Sequence, residues 1–234
     1  MFPGFGFDPT MILLIPAMAF AMWAQWKVQA TFNEYSRVRA ASGRDGRQMA
    51  LEIMARNGVT GVQVEPVAGV LSDHYDPGAR KVRLSEPNFE GASVASIAVA
   101  AHEVGHVLQH HEGYLPLQMR SGLAPVVGFA SMAATPLFFI GLFFMRGMPF
   151  GAFLMDLGIV FFSGAVLFHL ITLPVEFDAS KRALVQLTDS GALREDEIAG
   201  AKKVLDAAAL TYVAAAAMAA LQLVRLLVLR NDRR

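Results

Sequence analysis

Val99-Ala100-Ala101-His102-Glu103-Val104-Gly105-His106-Val107-Leu108 is the stretch on which the reading of this chain turns. Histidines at i and i+4 lie on one helical face, one turn apart. Both imidazoles therefore reach a single ion, and a catalytic zinc takes neutral imidazole while keeping one position open for water. Glu103 stands beside the first ligand, where a carboxylate takes a proton from such a water. This is the His-Glu-x-x-His pattern of zinc peptidases. Val94, Ile97, Ala98, Ala101, Gly105 and Leu108 mark the helix as largely buried. Burying His, Glu and His together without a ligand is costly, which weighs against a pair of ordinary surface histidines.

Outward from the motif, Ser93 is placed to cap a helix running to about His111. Val62, Val64 and Val67 read as strand, as do Val82 and Leu84, with the turn-rich Leu71–Gly78 between them. A small sheet of two or three strands is expected, ended by Glu86-Pro87-Asn88. Further upstream, Asp45 is placed to cap a helix ending near Asn57-Gly58, and residues 28–41 read as a continuation of a preceding helix.

The rest of the chain is dominated by four uncharged runs: Pro9–Trp26, Ser121–Met145, Leu157–Val175 and the alanine-rich Ala207–Val224. Each has 18 to 25 residues, and a membrane span needs about 20. They account for the composition of the 234-residue chain, which is 54% hydrophobic but only 17% charged, against about 25% charged in soluble domains. That balance excludes a disordered chain. The formal charge of zero provides no global basic field for nucleic acid. The lack of cysteine excludes disulfides and thiolate ligands.

The first run is not a signal peptide by composition, because residues 1–8 carry only Asp8 and no basic group. Trp23 and Trp26 beside Lys27 resemble an interfacial belt on a retained anchor. Residues 27–123 carry ten Lys or Arg and residues 174–206 carry five, whereas the turn after the second run has only Arg146. The positive-inside rule puts both hydrophilic segments in the cytoplasm and the N-terminus outside. The fourth run opposes this rule, because crossing would export Arg230, Arg233 and Arg234. The expected fold is a mainly α membrane protein with three to four transmembrane helices and a zincin-like α+β part carrying the small sheet. Its segments are an anchor (1–27), the motif segment (28–120), a transmembrane hairpin (121–175), a second cytoplasmic segment (176–206) and a C-terminal hydrophobic helix with a basic tail (207–234).

Metzincins complete the site with a glycine and a third histidine, but those positions here are Gln109 and Glu112. Gluzincins bring a glutamate from a second helix. Glu176, at the start of the second cytoplasmic segment, is the natural candidate, with His102 and His106 as the other ligands. Asp178 points elsewhere on a helix, His110 and His111 fit the surface end of the motif helix, and Asp156 lies at the wrong depth. An oxyanion formed during hydrolysis needs a further donor, for which His74, Tyr75, Tyr114 and His169 are candidates. The Val82–Leu84 strand is a candidate edge for an extended substrate.

Leu71-Ser72-Asp73-His74-Tyr75-Asp76-Pro77, Val82-Arg83-Leu84-Ser85, Val99–His106, Gly113-Tyr114 and Pro174-Val175-Glu176-Phe177-Asp178-Ala179-Ser180 together resemble the bacterial YugP-type membrane zinc metallopeptidases. The resemblance covers most of residues 30–205. It is more distant to the HtpX and CAAX-processing membrane gluzincins, which place an aspartate four residues after the glutamate ligand, where this chain has Ser180. The resemblance implies a membrane-anchored zinc peptidase and supplies no substrate; the expected enzyme is a Zn²⁺ peptidase of the inner membrane acting on a peptide or protein, with membrane proteins one candidate class. The competing expectations are a site-two-type intramembrane protease, whose motif lies within a span, and a non-catalytic zinc-binding scaffold, which needs no base at Glu103.

Overall fold

The computed structural model describes residues 8–144 and 149–232. Arg146, Arg233, Arg234 and the N-terminal residues 1–7 lie outside the described residues, and with them part of the charge-based topology. The elements are a 3-10 turn (Pro9–Leu14), α1 (Ile15–Tyr35), α2 (Gly46–Arg56), β1 (Gln63–Val67), β2 (His74–Asp76), β3 (Lys81–Ser85), the short α3 (Glu86–Phe89), α4 (Val94–His111), α5 (Leu115–Phe144), α6 (Pro149–Ser190) and α7 (Glu195–Asn231). They form two compact units.

One unit comprises Ala24–Gln118 and Leu173–Thr211. Its core is built around α4. Ser93 caps that helix by accepting from the Ser96 amide at 3.1 Å, and Val94, Ile97, Ala98, Ala101 and Val104 are buried on several of its faces. Helix α2 lays Met49, Ala50 and Ile53 against it. Asp45 caps α2 in a reciprocal box with Gln48, and Gly58 at φ +67° follows its end. Ala179, Ala183 and Leu187 continue the i, i+3, i+4 stripe that begins at Glu176, so the last turns of α6 bury one face in the same core.

The sheet has the order β1-β3-β2, with β1 parallel and β2 antiparallel to β3. The turn-rich Leu71–Gly78 region thus contains a strand of its own. Asp76 closes the β2–β3 turn by accepting from the Ala79 amide at 2.9 Å. Because β3 is paired on both sides, Val82–Leu84 has no free edge for a substrate, which corrects that expectation. The strand is central because Val82 and Leu84 are fully buried. Helix α1 ends at Tyr35, so residues 36–41 do not extend it.

The other unit comprises the remaining parts of the long helices: residues up to Trp23, Met119–Thr172 and Tyr212 onward. Phe138, Met155 and Leu226 form its small core, while Met22, Phe129, Met132, Phe143, Phe153 and Leu167 are exposed, as lipid-facing side chains are. Arg225 is buried and donates to Asp8 Oδ2 at 2.6 Å and to Thr10 Oγ1 at 3.1 Å. Arg230 clamps both oxygens of Asp156 at 2.8 and 3.0 Å. Among the described residues, four helices are long and apolar enough to cross a membrane: Pro9–Tyr35, Leu115–Phe144, Phe150–Ser190 and Glu195–Asn231. The third passes Pro174 without a break. The fourth carries Arg225 and Arg230 paired rather than bare, which lowers the cost of burying them.

Candidate active site

His102 and His106 project from one face of α4, their ring centroids 4.9 Å apart and nearly perpendicular. Glu176 comes from α6, where only 1% of the residue is exposed. Its Oε2 lies 3.3 Å from His102 Nε2 and 3.6 Å from His106 Nε2. One ligand atom from each of the three residues falls within 4.8 Å of the others. Two imidazoles and a carboxylate at that spacing form a donor set suited to zinc, since neutral nitrogen and oxygen converge on one point. Glu176 lies in mid-helix rather than at a helix start, so a favourable dipole at an N-terminus does not explain its burial. The neighbouring histidines do.

The two helices are brought together at Gly105. A Cβ there would meet the Ala179 carbonyl oxygen at 2.5 Å. Glycine at this position lets the α4 and α6 backbones approach, with Glu176 three residues before Ala179 and the histidines flanking Gly105.

Glu103 is buried beside the cluster. Burial pushes its pKa above the ordinary carboxylate value, the two imidazoles pull it back, and Asp73 and Glu176 add to the rise. Burial pulls His106 down, but the Glu176 carboxylate, with help from Glu103 and Gln109, leaves it net above the ordinary histidine value. A metal ion held here would need the neutral ring and would compete with that proton.

Each imidazole has a second partner on its far side. His102 Nδ1 lies 3.2 Å from Ser180 Oγ. Ser180, four residues after Glu176, thus sets a hydroxyl against the ring. His106 Nδ1 lies 3.0 Å from Gln109 Oε1. The sequence pattern places Gln109 at the metzincin glycine position and gives it no role at the site. Its spacing of three from His106 on one helix was the available signal.

Among the other sequence candidates, Asp178 points away from the cluster, contacting Gln109 Nε2 at 2.9 Å and Arg182. His110 and His111 are exposed at the end of α4, and His110 Nδ1 contacts the Tyr75 hydroxyl at 2.7 Å. His74 uses Nδ1 on the Ser72 carbonyl at 2.8 Å. The Arg182 guanidinium covers the Tyr114 ring at 5.7 Å. His169 belongs to the other unit. The motif helix α4 is not among the four apolar helices, contrary to what a site-two-type protease requires.

The family model described as "Putative neutral zinc metallopeptidase" matches residues 10–231. The chain is 52% identical over 214 residues to "Putative membrane protease YugP" of Bacillus subtilis (strain 168), covering 91% of this chain and 92% of that protein. No solved structure matches the chain.

Proposed function

The chain belongs to the neutral zinc metallopeptidase family, and from that membership we propose that it is a gluzincin-type endopeptidase working at the cytoplasmic surface of the cell inner membrane. The observation that carries the proposal is the convergence of His102, His106 and Glu176 within 4.8 Å beside a buried Glu103. In this reading His102 Nε2, His106 Nε2 and a Glu176 carboxylate oxygen hold Zn²⁺. The bound ion supplies a Lewis acid that lowers the pKa of water and polarises a carbonyl.

Glu103 is the general base. Its carboxylate accepts a proton from the water that attacks the scissile carbonyl and returns it to the leaving amine nitrogen, so the side chain ends as it began. Low exposure keeps bulk water from competing. The substrate is a peptide or protein. The cytoplasmic assignment is supported by the fifteen basic residues in segments 27–123 and 174–206, between which the transmembrane hairpin leaves and returns.

Replacing Glu103 with Gln tests this reading. Cleavage of a protein substrate should be lost while the purified full chain retains about one zinc. A variant that still cleaves at the wild-type rate refutes Glu103 as the base, and one that loses its zinc assigns Glu103 a ligand role instead.

A further inference from the structure

Gln109 is completely buried, at 0% exposure, on the same face of α4 as His106. A side-chain amide has a sense: its nitrogen only donates and its oxygen only accepts. Gln109 Nε2 lies 2.8 Å from the Val175 carbonyl oxygen and 2.9 Å from Asp178 Oδ2. Both partners are acceptors, and a peptide carbonyl is never a donor. The nitrogen end is therefore committed to α6, and the oxygen end must face His106 Nδ1 at 3.0 Å. An amide oxygen has no proton to give, so the proton of that contact belongs to Nδ1. The lone pair of a neutral His106 is then on Nε2, the atom turned toward Glu176.

Asp178 is itself held. Arg182 donates through Nε to Asp178 Oδ2 and through Nη1 to Glu112 Oε2 at 2.7 Å. The chain of contacts Glu112–Arg182–Asp178–Gln109–His106 thus runs from the exposed end of α4, through α6, and back to a buried ring. Val175, whose carbonyl receives one of the two amide protons, immediately precedes Glu176.

We propose that Gln109 is a positioning residue: it selects the Nδ1–H tautomer and the ring orientation that present His106 Nε2 to the metal, and it ties that ring to the turn of α6 carrying Glu176. The proposal rests on the metallopeptidase reading of the site, and its failure is distinguishable from failure of that reading.

The test is zinc affinity of the metal-stripped full chain in detergent, measured against a competing chelator, with the melting temperature of the metal-free protein recorded alongside. Gln109→Met keeps most of the side-chain volume and removes both polar ends. Zinc dissociation constants should rise about 10–100-fold, the usual effect of removing a residue that orients a ligand, with the metal-free melting temperature close to wild type. A lowered melting temperature with wild-type zinc affinity makes Gln109 a purely structural tie and overturns the proposal. If Gln109→Met does not fold, Asp178→Ala decides, because Asp178 is partly exposed and its removal frees one of the two anchors of the amide. Weakened zinc binding supports the proposal, and wild-type affinity overturns it. His106→Ala run in parallel should lose zinc in any case; if it does not, the reading of the metal site fails, not the role of Gln109.

Discussion

Gly105 packs so closely against Ala179 that a methyl group on its α-carbon would lie 2.5 Å from the Ala179 carbonyl oxygen. The obstacle is backbone, which yields less readily than the end of a side chain. Gly105→Ala therefore forces α4 and α6 apart at the level of the cluster. Overpacking of this kind costs about 1–3 kcal/mol, set against a helix-propensity gain of up to about 1 kcal/mol for Ala over Gly. The expected result is a lower melting temperature together with weaker zinc binding. An unchanged melting temperature and unchanged zinc affinity would show that the helices slide freely.

The contact explains what sequence reading captures here and what it does not. Helix α4 is legible because its signals are local: a serine cap, an apolar run, and two histidines at a spacing fixed by helix geometry. Glu176 is expected near the motif because two apolar runs that cross a membrane as a hairpin return the chain to the face it left, and the structure places it with the two histidines. The strand at Val82–Leu84 is legible as a strand but not as the central one, because three-residue β2 hides among Asp, Pro and Gly. Gln109 and Ser180 are only partly legible, Gln109 through its spacing from His106 and Ser180 through the resemblance. Their roles exist only once α4 and α6 meet, and polar residues of these types are common on any helix. The unbroken passage of α6 through Pro174 also escapes local rules, since proline ordinarily signals a boundary.

The buried Arg225 makes a second prediction. Asp8 neutralises it at 2.6 Å. Removing Asp8 leaves the buried guanidinium without its counter-charge, a cost below the roughly 3–5 kcal/mol of a fully buried pair because the Asp8 side chain is 30% exposed, whereas replacing both with apolar groups is often neutral. Asp8→Ala should thus lower the melting temperature in detergent more than the Asp8→Ala/Arg225→Leu double variant does. If the single variant melts like wild type, the pair contributes nothing.

Acid should loosen the small sheet. Glu65 is held below its ordinary value of 4.5 by Lys81 and then Arg83. Asp76 is held below 3.8 by the Ala79 amide and then Arg83. A carboxyl whose folded pKa is depressed contributes stability that is present above its unfolded value and is lost as pH falls through the folded one. The sheet should therefore be indifferent to pH above about 5 and should open progressively below about 4. Amide exchange of β2 and β3, corrected for intrinsic rates, measures this. Protection that is flat down to the lowest pH at which the chain stays folded would remove these carboxylates from the sheet's stability.

The most direct measurement is zinc content of the purified full chain with and without the Glu176 carboxylate. His102 and His106 are neighbours on one helix and would meet without any long-range fold, but Glu176 reaches them only if α6 returns as described, with Oε2 3.3 Å from His102. Wild type should carry about one zinc per chain, and Glu176→Ala should be largely stripped after the same purification while remaining folded. Full zinc occupancy in Glu176→Ala would contradict the three-ligand centre.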